Sequence, residues 1–512
     1  MTVLANPGKS GIYPNRRCAA PAARRQWIPP GHCQYSCALP PWQPLGSNVT
    51  VTIAGIPRHA VELMLETERA AFVSRHARSR ALAGRGKGHW LAGVPMHWMS
   101  DWGTPFPMHV AAAQGAELED VDGNRYADFC LGDTGAMFGH SPPAVTAALT
   151  AQARRGLTTM LPGEDATVAG ELLAAQFGLP FWQMAQTASD ANRSVIRWAR
   201  AITRRPAILV FDQCYHGMVD DAFVGLEAGT VRNRPGLVGQ ATDLAVNTRC
   251  VEFNDLAAVE SVLKARDVAC ILAEPVMTNA GMVLPDPGFL DALGRLARRH
   301  QTLLAIDETH TLSSGIGGYS RVARLEPDFF IAGKAVAGGF PCAVYGFTAE
   351  VEERIRGMLA SKPPGHSGIG TTLAGNPMAM AALRACLEHV MTPAAYTHML
   401  AMAERLEDGL EQLVDAERLP WHVQRVGARL EVGFTREPPR TGRQSIDKLP
   451  SLLPDAIRLY LLNRGLLITP FHNMMLMSPV TPAASVDRLA SAWAQCVNEL
   501  RRVAGPAGTS KS

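Results

Sequence analysis

The stretch Phe329-Phe330-Ile331-Ala332-Gly333-Lys334-Ala335-Val336-Ala337-Gly338-Gly339 decides the fold, because it sets one lysine directly after an apolar strand candidate. The chain has only seven lysines against forty-two arginines, so a lysine in this position is unusual. Apolar and small neighbours should desolvate the Lys334 ammonium and lower its pKa, which would make the amine a nucleophile. The stretch therefore predicts a reactive amine at a strand end.

An acidic pair closes the apolar run that comes before this stretch. The run reads Leu303-Leu304-Ala305-Ile306-Asp307-Glu308. A carboxylate at a strand end, followed by a lone buried lysine, is the pair that a pyridoxal-phosphate enzyme needs. The lysine makes the Schiff base and the aspartate keeps the pyridine nitrogen protonated. We therefore expect pyridoxal 5'-phosphate as the cofactor, with Lys334 and Asp307 as catalytic residues.

The composition is that of a soluble globular protein with a large core. The 512 residues are 47% hydrophobic and 19% charged,. A net charge of +3 is too small to indicate nucleic acid as a partner,. No apolar run reaches the roughly 18 residues of a transmembrane helix, so we expect no membrane partner.

The ten cysteines are scattered along the chain, which favours reduced, buried thiols over a disulfide framework,. A cytoplasmic location is the simplest interpretation. His32, Cys33 and Cys37 form a single cluster without a second ligand pair at zinc spacing, so we predict no metal site,.

Strand and helix candidates alternate from about residue 160 to 350. The helix candidates are 165–177, 190–204, 255–266 and 287–300, and the strand candidates are 207–211, 269–273, 302–306, 328–331 and 343–347. This alternation predicts an α/β fold with a mostly parallel sheet that is covered by helices on both faces. Ligands bind such sheets beyond the carboxyl ends of the strands, where Asp307 lies.

Five segments are expected along the chain. Residues 1–55 lack periodicity and predict a disordered extension, although an acid-free leader also resembles a transit peptide or reflects a start site set too far upstream. Residues 56–115 should contribute to a small domain, 116–375 should form the large cofactor-binding domain, and 376–505 should form the C-terminal small α+β domain. Residues 506–512 should be a loose tail.

Further motifs fall in a fixed order around the lysine. They are Thr187-Ala188-Ser189-Asp190-Ala191-Asn192, Phe211-Asp212-Gln213-Cys214-Tyr215-His216-Gly217, Ala273-Glu274-Pro275-Val276 and Thr371-Thr372-Leu373-Ala374-Gly375-Asn376-Pro377. With Asp307 and Lys334 they make the chain resemble the class III pyridoxal-phosphate aminotransferases, in the branch similar to glutamate-1-semialdehyde aminomutase. The resemblance covers about residues 95–500 and implies the fold type I architecture of aspartate aminotransferase.

The resemblance implies a role for each cofactor residue. Ala188 and Ser189 would hold the phosphate at a helix start, Tyr215 would stack on the pyridine ring, and His216 would shape its loop. Glu274 would lie near the phenolic oxygen, and Thr309 would lie under the ring. Thr372 would reach the phosphate of a second subunit, which implies a homodimer with shared active sites.

Residues for the substrate are less well marked. Asp133 aligns with a loop on the substrate side, His472 with a gating segment, and Trp98 could wall the entrance. Arg429 is a candidate clamp for a substrate carboxylate. Many relatives have an arginine or a Cys-Gly-Phe stretch after the acidic pair, whereas this chain has Thr311-Leu312-Ser313-Ser314.

The leading functional hypothesis is a transaminase, in which Lys334 holds the cofactor and moves a proton for a small-molecule amino donor and a carbonyl acceptor. Two alternatives stay open. An intramolecular aminomutase or epimerase would form product without a second carbonyl compound. A non-catalytic cofactor-binding protein would react with no amine.

Overall fold

The computed structural model describes residues 51–446, 452–470 and 472–503. The cluster of His32, Cys33 and Cys37, the tail at 506–512 and most of the predicted extension lie outside the described residues. The order along the chain is as follows.

The strands are β1 (Thr52–Ile53), β2 (Ile56–Pro57), β3 (Val110–Gln114), β4 (Glu117–Asp120), β5 (Arg125–Asp128), β6 (Phe181–Ala185), β7 (Ala207–Phe211), β8 (Val224–Glu227), β9 (Thr230–Asn233), β10 (Thr248–Val251), β11 (Val268–Ala273), β12 (Leu303–Asp307), β13 (Phe329–Ala332), β14 (Ala343–Phe347), β15 (His422–Val426), β16 (Arg429–Gly433), β17 (Leu466–Leu467) and β18 (Met475–Leu476).

The helices are α1 (Arg58–Arg75), α2 (Ala77–Gly86), α3 (Pro143–Ala153), α4 (Glu164–Phe177), α5 (Ala188–Thr203), α6 (Leu256–Leu263), α7 (Phe289–Arg299), α8 (Gly318–Val322), α9 (Ala349–Ser361), α10 (Pro377–His389), α11 (Pro393–Ala416), α12 (Gly442–Ile446), α13 (Leu453–Asn463) and α14 (Ala483–Val503).

A seven-stranded sheet forms the centre of the molecule, with the strand order β10-β7-β11-β12-β13-β14-β6. The neighbouring pairs from β10 to β13 are parallel, and β14 runs antiparallel to both of its neighbours. Every residue of β7, β11, β12, β13 and β14 is buried. Strands this apolar need cover on both faces, as in α/β proteins, so the predicted fold class is confirmed.

The five strand candidates predicted for residues 160–350 match five strands of the central sheet, whereas its two edge strands, β6 and β10, were not predicted. β7 and β14 have the predicted bounds, and β12 begins and ends one residue later than its candidate. Helix α5 packs on five strands of the sheet, from β11 to β6. The predicted helix at 255–266 is shorter than expected, because its last turn ends at Leu263.

Order begins earlier than the predicted boundary at residue 55. Strand β1 pairs with β2 through a tight turn in which Gly55 has a φ of +82°, a conformation that glycine adopts without strain,. Residues 51–55 are thus structured, and the predicted extension is too long by at least these residues. In this hairpin, Ile53 of β1 pairs with Ile56 of β2.

A smaller four-stranded sheet joins distant parts of the chain, in the order β17-β5-β4-β3. Strands β4 and β5 form a hairpin around Asp122-Gly123. Strand β17 pairs in parallel with β5, so residues 466–467 complete a sheet that begins at residue 110. The predicted domain boundary at 115/116 falls between β3 and β4 of this sheet, and the division into domains stays a prediction.

The cysteines of the described part are buried and reduced. Cys130, Cys214, Cys250, Cys270, Cys342, Cys386 and Cys496 carry free thiols. Among the described helices, none combines the length and the apolar character that crossing a membrane requires.

Candidate active site

A cavity of about 320 Å³ opens at the carboxyl edge of the central sheet. Its lining comes from segments that follow β6, β7, β11, β12 and β13, and from the turn before β14. This edge is where open α/β sheets bind their ligands. The lining includes eight of the residues predicted from sequence: Ala188, Ser189, Tyr215, His216, Glu274, Asp307, Thr309 and Lys334.

One end of the cavity is formed by the N-terminus of α5. Thr187 caps this helix, because its Oγ1 accepts a hydrogen bond from the Asp190 N–H at 3.2 Å. The Ser189 hydroxyl accepts a hydrogen bond from the Met218 N–H at 3.0 Å. The first backbone N–H groups of a helix and its dipole favour an anion, so this end suits a phosphate.

Two glycines allow the backbone to approach this helix end closely. A Cβ atom at Gly217 would lie 2.0 Å from Ser189 Oγ, and one at Gly333 would lie 2.9 Å from Ala188 Cβ. Both distances are too short for real atoms. The turns after β7 and β13 therefore meet the start of α5 only because neither position carries a side chain.

Asp307 ends β12 with both carboxylate oxygens bonded. Oδ2 accepts from Asn192 Nδ2 at 2.8 Å and from His216 Nδ1 at 3.0 Å, and Oδ1 accepts from the Thr309 N–H and hydroxyl. Burial alone would raise the pKa of Asp307, but the hydrogen bonds and charge of His216, with those of Thr309 and Asn192, hold it below its ordinary value,. The carboxylate is therefore ionised.

His216 is the cationic partner of this carboxylate. Burial lowers the pKa of His216, but the Cys214 sulfur and the Asp307 carboxylate raise it to about 10. Its Nε2 is buried and has no hydrogen-bond partner among the described residues. The sequence predicted only that His216 shapes its loop. In the structure it also holds Asp307 in its charged form.

Glu274 and Tyr215 lie together on the wall formed by the ends of β7 and β11. Glu274 Oε1 accepts from the Tyr215 backbone N–H at 3.0 Å, while Oε2 is 3.3 Å from both the N–H and the hydroxyl of Thr278. Burial raises the pKa of Glu274. Burial and the carboxylates of Asp133 and Asp307 raise the pKa of Tyr215, so its phenol stays neutral.

Lys334 points into the cavity from an unusual backbone conformation. Its φ is +47°, in the left-handed region that side chains rarely occupy,. Nζ donates to Asp133 Oδ2 at 2.8 Å and lies 2.5 Å from His310 Nε2. The side chain is 28% exposed, so the desolvation expected from its apolar neighbours is incomplete, and the amine forms an ion pair with the Asp133 carboxylate.

The four substrate candidates lie in different settings. Asp133 contacts Lys334, and burial would raise the pKa of its carboxyl, but the Lys334 ammonium and the surrounding basic groups hold it well below its ordinary value. Arg429 has no exposed surface and donates from Nη2 to the hydroxyl of Thr134, the residue next to Asp133. Its Nε and Nη1 have no hydrogen-bond partner among the described residues.

The remaining candidates lie outside the cavity lining. His472 Nδ1 is 3.0 Å from Glu431 Oε1 without the geometry of a hydrogen bond, in a separate cavity of about 100 Å³. Trp98 is 42% exposed. Thr372 is exposed in the segment before α10. These three, with Asp133 and Arg429, are not among the described residues that line the cavity, and their roles stay predictions.

Comparison with known proteins gives the family. A family model described as class III aminotransferase matches residues 98–496. The chain belongs to the class III aminotransferases. A glutamate-1-semialdehyde 2,1-aminomutase of Myxococcus xanthus is 35% identical over 371 residues, which make up 71% of this chain and 84% of the relative.

Solved structures extend this likeness. A glutamate-1-semialdehyde-aminomutase from Pseudomonas aeruginosa PAO1 is 46% identical, with a TM-score of 0.85, and the match covers 87% of this chain and 100% of that protein. A lysine-to-alanine variant of the same protein has been solved in complex with PMP. An omega-transaminase from Sphaerobacter thermophilus is 26% identical, with a TM-score of 0.75 and coverage of 83% and 98%.

The cofactor of this class III aminotransferase is pyridoxal 5'-phosphate, and the cavity fits it. The start of α5 suits the phosphate, ionised Asp307 suits a protonated pyridine nitrogen, and Lys334 supplies an amine in the same cavity,. Gly217 lets the backbone after β7 lie directly against Ser189 at this helix start, and His216 Nε2 is a buried polar atom without a hydrogen-bond partner among the described residues.

Three residues around the site were missed by sequence reasoning: Asn192, Thr278 and His310. Asn192 bonds Asp307, and Thr278 joins Glu274 to His310 Nδ1, which is 2.6 Å from its hydroxyl. His310 follows Asp307 by three residues, so a search for titratable groups near the acidic pair could have found it. The unusual segment 311–314 forms a buried turn, whose Ser313 carbonyl accepts from the Ala428 N–H.

Proposed function

We propose that this enzyme moves an amino group within one small molecule, as an aminomutase. Relatives at 35% and 46% identity carry the name glutamate-1-semialdehyde aminomutase, and both are matched over most of their length. These names favour the intramolecular alternative over the general transaminase that the sequence suggested first. The observation that carries the chemistry is the shared cavity, in which Lys334 and ionised Asp307 both lie.

Lys334 is the proposed covalent anchor and proton carrier. Its amine would hold the cofactor through the cofactor aldehyde and, when an amino substrate is bound, would be the group that moves a proton at the substrate carbon. Pyridoxal phosphate supplies a ring that accepts electron density from that carbon. Asp133, 2.8 Å from Nζ, orients the amine when it is charged.

The other cavity residues bind and orient the cofactor in this proposal. Ionised Asp307, supported by His216 and Thr309, holds a proton on the ring nitrogen. Backbone N–H groups at Ala188 and Ser189 bind the phosphate. Tyr215, which is 44% exposed beside this site, covers one face of the ring,.

The proposed substrate is an amino compound that also bears a carbonyl group, of the type named in the relatives. Asp133 sits at the amine end of such a molecule. Trp98 and His472 belong to the entrance side in this proposal. Arg429 acts on a substrate carboxylate only if the Thr134 loop moves, because the guanidinium is fully buried against it.

The test is a reaction without an acceptor. Purified enzyme with pyridoxal phosphate is given glutamate 1-semialdehyde as the sole substrate, and isomerisation is followed by NMR. Product in which the amino and carbonyl groups have exchanged carbons, at unchanged mass and with no keto acid added as an acceptor, supports the aminomutase. No turnover unless a second carbonyl compound is added contradicts it.

A transaminase that works between two molecules is the second candidate. The omega-transaminase from Sphaerobacter thermophilus, with a TM-score of 0.75, favours it, as does the departure at residues 311–314 from many relatives. In that case, amino donors should convert the cofactor to its amine form, and a keto acid should restore it. A panel of α-, β- and ω-amino donors separates the two activities.

We further propose a homodimer in which Thr372 completes the site of the partner. Exposed apolar side chains support an interface, because a soluble chain rarely leaves several in one short region. Leu157, Met160 and Leu161 are 56%, 78% and 73% exposed, and Leu373, beside Thr372, is 45% exposed. The cytoplasmic location stays a prediction.

A further inference from the structure

Two groups contact the Lys334 amine, and they differ in what they can do with its proton. Asp133 Oδ2 is 2.8 Å from Nζ and His310 Nε2 is 2.5 Å from it. Burial would raise the pKa of Asp133, but the Lys334 ammonium and neighbouring basic groups hold it well below its ordinary value. Asp133 is therefore a counter-ion that binds the ammonium and is a poor acceptor of its proton.

The hydrogen bonds around His310 fix its tautomer. An ammonium has donors only, so Nε2 must be the accepting nitrogen, and the ring proton must be on Nδ1. The Nδ1–H then donates to Thr278 Oγ1 at 2.6 Å. The Thr278 hydroxyl donates in turn to Glu274 Oε2 at 3.3 Å, which is the longest link. The four groups form a chain in which every donor points the same way.

Charge and burial decide where a proton can stop along this chain. Burial, together with the Lys334 and Arg429 cations, holds the pKa of His310 well below its ordinary value. The imidazole therefore cannot keep a second proton and must release the one on Nδ1. Burial raises the pKa of Glu274, so this carboxylate accepts and keeps a proton more readily than His310 does,.

We propose that His310 is the proton partner of the Lys334 amine, and that it passes the proton through Thr278 to Glu274. The N–H bond at Nζ breaks as Nε2–H forms, Nδ1–H breaks as a new Thr278 O–H forms, and the original Thr278 proton moves to Glu274 Oε2. Lys334 becomes a neutral amine, Glu274 a neutral acid, and the histidine changes tautomer without a change of charge.

The surroundings of His310 are consistent with a neutral relay. Besides Lys334, the charged and titratable groups that face it are Asp133, Arg429 and His472. His310 is almost fully buried. A cationic imidazole would add to the positive charge of Lys334 and Arg429 in a closed space, so a relay that stays neutral avoids that repulsion.

The inference rests on the proposed role of Lys334, and its test is covalent capture of the cofactor rather than turnover. Full-length protein is freed of cofactor and mixed with pyridoxal phosphate, and the rate of bond formation is followed by absorbance across pH 6 to 9. Borohydride reduction and peptide mapping locate the modified residue. Imine formation requires that the amine first loses a proton and that a proton is then delivered to the departing water. The rate of capture therefore reports on the relay.

His310→Gln is the main variant, because glutamine retains hydrogen-bonding capacity and size but cannot exchange one proton for another. Capture should slow by about 10- to 100-fold, in line with general acid–base catalysis. Thr278→Val, which keeps the shape and removes the hydroxyl, should slow capture by a smaller factor. In His310→Ala, added imidazole should restore part of the rate.

Matched controls use the same residue types outside the cavity. Thr302→Val removes a buried hydroxyl bonded to the Val268 carbonyl, and His398→Gln removes a ring bonded to the Thr481 carbonyl. Both should capture cofactor at the wild-type rate.

The outcomes separate the two proposals. If wild-type protein captures no cofactor at Lys334, the proposed function fails. If it captures cofactor there but His310→Gln or Thr278→Val does so at the wild-type rate, the relay is wrong. Slow capture in His310→Ala that imidazole does not relieve also overturns it, because a purely structural defect would behave in that way.

Discussion

Lys334 and its counter-ion Asp133 both have left-handed backbone conformations, with φ values of +47° and +48°. Each such residue costs about 1–3 kcal/mol and persists only where the surrounding structure enforces it. Here the enforcing contacts include Gly333 against Ala188 and the short bonds at Nζ. The strain holds the amine in the cavity instead of letting it extend along the strand direction.

Lys334→Ala should abolish turnover, because it removes both the covalent anchor and the proton carrier. Borohydride reduction should then attach no cofactor at position 334. The matched control is Lys362→Ala, since among the described residues the Lys362 amine bonds only to nearby backbone carbonyls in an exposed turn. The control should keep its activity. Normal turnover in Lys334→Ala would end the proposal.

The pair of His216 and Asp307 predicts a pH-dependent stability. The folded pKa of His216 is about 10, above the roughly 6.5 of an unfolded histidine,. Stabilisation from this group is complete below about pH 6.5 and is lost as the pH rises towards 10. The lowered pKa of Asp307 matters at acid pH. Its contribution to the free energy of unfolding is present above about pH 4 and is lost as the pH falls below that value,.

His216→Gln should therefore destabilise the cofactor-free protein by about 3 kcal/mol near pH 6, the cost of breaking a buried pair. The difference from wild type should shrink as the pH approaches 10. Urea unfolding at several pH values measures it. A difference that stays constant over this range would show that the pair is not the cause.

At the residue scale, the sequence could predict those site residues whose immediate neighbours identify them. Lys334 and Asp307 stand at the ends of apolar runs, and Tyr215 and Glu274 follow strands in the same way. Asn192, Thr278 and His310 could not be paired with their partners, because their contacts join segments 24 to 115 residues apart. Such contacts depend on strand order, which a single sequence does not reveal.

At the scale of elements, the site depends on how closely β13 approaches the start of α5. Both elements were predicted from periodicity, but the closeness of their meeting was not, since it rests on a missing side chain at Gly333. His76 separates α1 from α2, and its ring bonds the Phe72 carbonyl and the Tyr126 hydroxyl, a contact 50 residues away that local periodicity does not reveal.

Gly333→Ala should weaken cofactor binding and destabilise the protein by about 1–3 kcal/mol, because the new methyl group overlaps Ala188. The φ of −131° at Gly333 lies outside the left-handed region, so the clash with Ala188 is the effect under test. Gly170→Ala in α4 is the control, since no atom lies within 4 Å of its Cβ. The free energy of unfolding of this control variant should rise by about 0.5–1 kcal/mol. Cofactor titration and urea unfolding measure both, and equal behaviour of the two variants would contradict the argument.

At the scale of the whole molecule, the proposed dimer makes each active site depend on two chains. Thr372 is exposed, whereas the residues it would assist lie in the cavity. Five of the seven strands of the central sheet, and helices between them, could be predicted from periodicity. Which surface meets a second chain could be inferred only through the family resemblance, because exposed apolar residues do not identify their partner.

Mixing two inactive variants tests this arrangement. Lys334→Ala lacks the amine, and Thr372→Asp should repel the phosphate of the partner's cofactor. In a mixed dimer one site combines the intact Lys334 of one chain with the intact Thr372 of the other. Equal mixing with subunit exchange should thus restore about a quarter of the sites. No recovery, with mixed dimers demonstrated by mass, would show that sites are not shared.

The pairing of β5 with β17 sets an order of events during synthesis. The Phe129 backbone is bonded to both Leu467 and Leu476, and Asp133 follows four residues later. A ribosome must release most of the chain before this early hairpin can find its last strand. We expect Asp133, the counter-ion of Lys334, to reach its final position only after these bonds have formed. A protein stalled or cut before residue 467 would therefore hold its reactive amine without the carboxylate that restrains it.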